Sequence, residues 1–273
     1  MEFESLVLRD PDADGRCKSE YVQLTGGVTG TSIPTLCGTL DGQHVIYTPI
    51  TNFPARLSVV LDTDTVTSSS TSWRMKVLQY SCDSPVLAPE GCLQFFTGIS
   101  GTVSSFNFKT EDNTNPDNTA SDFPNHIANL NYNICLRRES GYCAVEWSTG
   151  SPYNQIGLFS VSGDLTTIAT APLTDVADAI NGDSNCQKDY VMIPQGGDAA
   201  NPESLTRDRF CGQALGFCGD ATCSANVLGA VYTSVLPFTL GVVTNTDETD
   251  GAGTIEDKSN RGFMLQYKQQ PCA

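Results

Sequence analysis

The stretch Cys186–Gly197, CQKDYVMIPQGG, has a near double in Cys17–Gly27, CKSEYVQLTGG. Both run from a cysteine through an acid, a tyrosine and a valine to a Gly-Gly pair. Followed downstream, the likeness persists. Cys37-Gly38 is echoed by Cys211-Gly212, and RLSVVLDTD (Arg56–Asp64) by FTLGVVTNTD (Phe238–Asp247). Leu78-Gln79-Tyr80 ahead of Cys82 is echoed by Leu265-Gln266-Tyr267 ahead of Cys272. One coincidence is cheap, but four landmarks in the same order indicate two copies of one module. The copies are unequal. About ninety residues precede the second, including CLQFFTGISGTVSSFNF, whereas residues 1–16 precede the first, so the first reads as the C-terminal half of the pattern. The Pro-rich SPVLAPEG between Cys82 and Cys92 is the linker candidate, which divides the chain into a partial copy, 1–84, and a complete one, 85–273.

Period-2 alternation dominates. In WRMKVLQY, Trp73, Met75 and Val77 fall on one face and Arg74 and Lys76 on the other, as a half-buried strand requires. TVSSFNF, NYNICLRR, YCAVEW, RLSVVL and PFTLGVVT are likewise rich in β-branched or aromatic residues and bounded by Gly, Pro, Asn and Asp. The fold class expected is all-β, with the apolar faces of RLSVVL and PFTLGVVT inside two cores. Only LTDVADAI (Leu173–Ile180) has helical spacing, enough for a turn or two. TEDNTNPDNTASD and NTDETDGAGTIEDKSN read as exposed polar loops.

The chain has 273 residues, 39% of them hydrophobic, so it can bury a real core. Eleven cysteines scattered singly among only two histidines fit disulfides better than zinc, and disulfides place the protein in an oxidising, secreted or extracellular setting. A net charge of −16 opposes nucleic acid and anionic membranes as partners, and no apolar run is long enough to span a bilayer. MEFESLVLRD carries early acids and is not a secretion signal.

These residues resemble the CUB domain, an extracellular antiparallel β-sandwich of jelly-roll type. Cys92, Gly101-Thr102-Val103, Cys135, Cys186 with Asp189-Tyr190, Cys211-Gly212, Thr246-Asp247 and the strand Phe263–Tyr267 follow its pattern; residues 1–82 follow only the later part. The wording GCLQFFTG, NYNIC and GYC is similar to secreted arthropod CUB-domain proteins of unknown function. The resemblance implies disulfides Cys92–Cys135, Cys186–Cys211 and Cys17–Cys37. Five cysteines remain. In one scheme Cys143 joins Cys272 and Cys218 joins Cys223, leaving Cys82 without a partner because its counterpart lay in the missing half; in another, Cys82 joins Cys92 across the linker.

Some CUB domains hold calcium through a Glu, the Asp of Cys-x-x-Asp-Tyr and a later Asp. The corresponding residues of the first copy are Arg9, Glu20 and Asp64, and an Arg among the ligands repels a divalent cation; it is better placed to pair with Glu20. The second copy offers Asp189, Asp247 and, by spacing from Cys186, Asp178. Isolated loop carboxylates ordinarily bond their own turns, so no cofactor is expected to be required.

No catalytic residue is expected. The NGDSNC around Ser184 lacks the other landmarks of a serine nucleophile, and His44 and His126 are the only candidate bases. Arg74, Lys76, Arg137 and Arg138 are a candidate basic strip, though charged edge positions also serve to discourage strand pairing. The function implied is that of a secreted interaction or structural module whose partner is an extracellular protein or glycan. The alternatives are the non-catalytic targeting region of a larger secreted serine protease and a lectin-like recognition protein. An incomplete copy also leaves an open edge at residues 1–82, which must pack on the rest of the chain or be completed by another copy or fragment.

Overall fold

The computed structural model of the chain describes residues 1–27, 33–50, 54–62, 71–108, 126–149, 158–162, 179–198, 206–212, 214–216, 230–246 and 260–272. The two long polar loops, apart from the ends of the second, lie outside these residues, as does most of LTDVADAI; its last two residues, Ala179 and Ile180, are in a strand. Every regular element among the described residues is a strand.

Two sheets build the complete copy. In the first, β10 (Ala179–Asn181), β12 (Arg207–Gly212), β11 (Tyr190–Gly196), β14 (Thr239–Val243), β7 (Asn131–Leu136) and β5 (Cys92–Phe96) lie side by side in that order. All neighbours are antiparallel except β5 and β7. In the second, the order is β13 (Ala230–Thr233), β8 (Tyr142–Ser148), β15 (Gly262–Pro271) and β6 (Ser100–Ser104), and β9 (Phe159–Ser160) pairs with the start of β15. Alternation sets the inner faces. Tyr132, Ile134, Val191, Ile193, Leu240 and Val242 come from the first sheet, and Val103, Val145, Trp147, Val231, Phe263, Leu265 and Tyr267 from the second. All are buried, while Met192, Gln266 and Lys268 between them point outward. Each such side chain contributes roughly 1.5–3 kcal/mol of burial free energy, which makes this layer the main source of stability.

The first copy forms two ribbons. β2 (Tyr21–Thr25) pairs with β3 (Arg56–Val60), and β1 (Glu2–Val7) with β4 (Ser72–Lys76). The echo between the copies extends to hydrogen-bond register: Tyr21 faces Val60 and Val22 faces Val59, as Tyr190 faces Val243 and Val191 faces Val242. It also extends to the Cys-Gly turn. Gly38 and Gly212 both take the left-handed region, at φ +78° and +96°, where a Cβ is strained.

A third correspondence corrects the sequence alignment. Leu8 N–H donates to Gly38 O as Val161 N–H donates to Gly212 O, so β1 stands in the place of β9. Leu6 pairs with Trp73 and Phe159 with Phe263, so Trp73 is the counterpart of Phe263 and, counting on, Cys82 that of Cys272. The two Leu-Gln-Tyr words are therefore out of register; WRMKV and FMLQY are the matching strands.

The described residues of the first copy do not enclose a core of their own. Leu57 and Leu61 are 41% and 44% exposed, so the apolar face of RLSVVL is not buried as the alternation suggests. Its sequence can specify the face, but only an opposing sheet can cover it. Phe3, Leu6, Leu36, Leu40 and Val45 instead join one continuous hydrophobic cluster with Leu93, Phe106, Trp147 and Tyr267 of the complete copy. Polar seams run alongside: Ile46 N–H to Leu93 O at 2.7 Å, Phe95 N–H to His44 Nε2 at 2.9 Å, and Thr39 N–H to Asn107 Oδ1 at 2.9 Å. Gln43 Nε2 adds donations to Ser104 Oγ and Ser105 O, both at 2.9 Å. The half-module thus docks along one side on its neighbour.

Candidate functional site

Among the described residues, four disulfides join Cys17 to Cys37, Cys92 to Cys135, Cys186 to Cys211 and Cys143 to Cys272. Cys92 is thereby taken, which removes the scheme linking it to Cys82. Cys82 is an exposed free thiol. Cys218 and Cys223 lie outside the described residues.

Asp189 sits at the edge of the complete core with no exposed surface. Its carboxylate accepts the Asn245 N–H, its own N–H donates to Ser162 Oγ at 3.2 Å, and His126 Nε2 stands 3.6 Å from Oδ2. That separation is long for a hydrogen bond but close enough for strong attraction whenever the imidazole is protonated. His126 Nδ1 lies 3.0 Å from Asn260 O, which only accepts, so the ring hydrogen is placed on Nδ1. The carboxylate proposed as a calcium ligand is therefore turned inward against an imidazole. Asp178 and Asp247 lie outside the described residues, and no group of three potential metal-ligating side chains occurs among the described ones. Ser162, by the Val161–Gly212 bridge, holds the position of Arg9.

In the first copy, Glu20 accepts the Arg9 backbone N–H at 2.9 Å and the Thr71 hydroxyl at 2.8 Å. The Arg9 guanidinium turns to Asp62 at 3.3 Å, so it is not the partner of Glu20 that the sequence suggests. Asp64 is outside the described residues. Both residues tie the start of the following strand to the end of the preceding one, Glu20 to Arg9 through its carboxylate and Asp189 to Ser162 through its backbone N–H.

Neither histidine approaches Ser184. Ser184 lies in a turn closed by Cys186 N–H to Gly182 O at 3.0 Å. His44 is in the seam between the copies, its ring edge-on to Phe96 at 4.9 Å, and burial holds its pKa below the usual histidine value. His126 faces Asp189. Three of the four basic candidates are held by local partners: Lys76 meets Glu2 at 3.1 Å, Arg137 meets Glu139 at 3.0 Å, and Arg138 Nε donates to Tyr142 O at 2.6 Å.

What does stand open is apolar. Among the described residues β4 is paired only with β1, and the strand ends at Lys76. Trp73 is 48% exposed, Val77 65% and Tyr80 57%, and Val86 and Leu87 continue the exposed series. Their counterparts in the complete copy, Phe263 and Tyr267 opposite Trp73 and Val77, are 0% and 2% exposed. Nothing in the alternation of WRMKVLQY distinguishes the two situations.

A disulfide-stapled, two-sheet β module preceded by an incomplete copy of itself defines the class. The chain belongs to the animal CUB domain family, whose model matches residues 89–270. No curated protein matches it in sequence. Among solved structures, it is similar to the CUB1-EGF-CUB2 domain of human MASP-1/3, at 15% identity over 98% of this chain and 86% of that one, with a TM-score of 0.27. The CUB1-EGF-CUB2 domains of rat MASP-1 give 12% identity over the same shares, with a TM-score of 0.28.

Proposed function

We propose that the chain is a secreted, non-catalytic interaction module that binds another extracellular protein through the open face of its incomplete copy. The observation that carries this reading is the contrast between Trp73 and Val77, 48% and 65% exposed, and the buried Phe263 and Tyr267 at the same positions of the complete copy. Contiguous exposed apolar surface of this kind marks interaction sites in soluble proteins. Four disulfides suit an oxidising extracellular setting, and a net charge of −16 keeps nucleic acid and anionic lipid away. Membership of the CUB family, with its interaction modules, agrees with this role.

The test is a panel of immobilised ectodomains probed by surface plasmon resonance with the wild-type chain and with Trp73→Asp and Val77→Asp. A partner whose affinity falls about tenfold or more in both variants, a loss of about 1.4 kcal/mol, supports the reading. Binding that ignores both substitutions refutes it. Sedimentation of the same proteins reveals whether a second copy takes the face instead: a dimer dissolved by Trp73→Asp is that outcome.

A further inference from the structure

We infer that the edge running from β4 to Cys82 receives an extended strand that carries a cysteine, and that Cys82 closes a disulfide with it. The inference rests on the interaction reading above and specifies the occupant.

The second copy supplies the template. β15 runs as far as Pro271 because β8 pairs with Gln266–Pro271 along one edge, and Cys143, near the start of β8, is bonded to Cys272 just beyond the strand. Further back on β15, β9 pairs with Gly262 and Phe263. In the first copy β1 fills the place of β9 and extends only as far as the Glu2–Lys76 pair. Beyond it, Val77–Cys82 has no strand partner among the described residues, and the chain there leaves the strand conformation. Cys82 lies nine positions after Trp73 and Cys272 nine positions after Phe263, so Cys82 stands where the bonded cysteine stands in the complete copy. Three features of a missing neighbour therefore coincide: an unpaired edge, an uncovered apolar row and an unbonded thiol. A bare edge of this kind recruits a strand.

The template also gives the occupant its chemistry. β8 reads YCAVEWS; its Ala144, Val145 and Trp147 are buried, and the Trp147 ring lies 6.1 Å from that of Tyr267, the counterpart of Val77. The strand that fits runs antiparallel to β4, has its cysteine near its start, and carries a large aromatic side chain four residues later to cover Val77. Bonding proceeds by thiol–disulfide exchange. The Cys82 thiolate attacks a disulfide on the partner's cysteine, the new bond joins Cys82 to that sulfur, and the displaced thiolate takes up the proton Cys82 gave away.

The probe is a peptide of this chain's own β8, SGYCAVEWS, with its cysteine capped as the mixed disulfide of thionitrobenzoate. A second peptide has the same residues scrambled around the capped cysteine. Against the full chain, the ordered peptide is expected to release the coloured thiolate on the order of tenfold faster, a difference a single bound strand readily provides. Mass spectrometry then places the adduct on Cys82, and hydrogen exchange shows new protection at Val77–Tyr80. Cys82→Ser abolishes the adduct but keeps the protection at higher peptide concentration. Equal rates for the two peptides overturn the inference, because the thiol is then merely accessible. A Cys82–Cys82 dimer that protects the same amides and excludes the peptide overturns it in favour of a second copy. If an ectodomain still depends on Trp73 while the two peptides react alike, the interaction reading stands and the strand falls alone.

Discussion

The His126 ring and the Asp189 carboxylate lie 3.6 Å apart with almost no exposed surface between them, 63 positions apart in sequence. A carboxylate so placed must keep its partners, since an inward charge stripped of one of them is left desolvated. Asp189→Asn retains the shape but replaces the charged acceptor for Asn245 N–H with a weaker neutral one in a site with no exposed surface, and a loss of about 2 kcal/mol in urea unfolding at pH 7 is expected. Glu20→Gln, whose two donors can still be met by an amide oxygen, should cost only about 1 kcal/mol. Calcium tests the same residue: melting curves in calcium and in chelator should coincide, and a rise of several degrees with calcium would mean that Asp189 turns outward to bind it.

The seam between the copies should loosen in mild acid. Burial lowers the pKa of His44, whose Nε2 accepts the Phe95 N–H and so needs the neutral ring. The unfolded chain takes up this proton near pH 6.5, the folded one only at lower pH. The stabilisation is therefore complete above about pH 6.5 and is lost as the pH falls below it. Melting temperature should drop between pH 7.5 and 5, and His44→Gln, which keeps an acceptor but does not titrate, should show a smaller drop.

Equivalent aromatic positions should respond unequally. Phe263→Ala empties a fully buried site and should cost about 3–5 kcal/mol. Trp73→Ala, at a residue 48% exposed, should cost less than about 1 kcal/mol in the isolated chain. Denaturant unfolding of both variants measures the difference.

Gly38 ties the half-module to its neighbour. A Cβ there would come within 1.9 Å of Asn107 Oδ1, the acceptor for Thr39 N–H, and would also strain the φ of +78°. Gly38→Ala should cost about 3 kcal/mol, from strain and the lost hydrogen bond together. Asn107→Ala removes the collision as well as the acceptor, so the double variant should be more stable than the sum of the two losses, and a double-mutant cycle in urea reads that coupling.

The disulfides should rank by the chain they close. Cys143–Cys272 spans 129 residues and Cys17–Cys37 spans 20. Loop-closure entropy assigns them about 5 and about 3 kcal/mol, so the paired serine variant of the first should melt lower than that of the second.

What the sequence determined by itself was local. Alternation and β-branched residues specify β2, β3, β11 and β14, and the repeated Cys-x-x-acid-Tyr-Val and Val-Val words carry enough information to predict that both copies pair alike, as Tyr21–Val60 and Tyr190–Val243 do. A period of two says which residues share a face. It does not say whether anything covers that face. WRMKV and FMLQY alternate equally well, yet Phe263 is enclosed because β9 and the end of β6, more than a hundred residues earlier in the chain, flank it on either side, and Trp73 is bare because β4 has β1 alone among the described residues. The same non-locality hid the register of the Leu-Gln-Tyr words, which only the β1 and β9 pairings fix, and the His126–Asp189 contact, which two distant loops make. Tertiary structure decided these because coverage and charge pairing are properties of what lies opposite a residue, and in a sheet built from distant strands that neighbour is not written beside it.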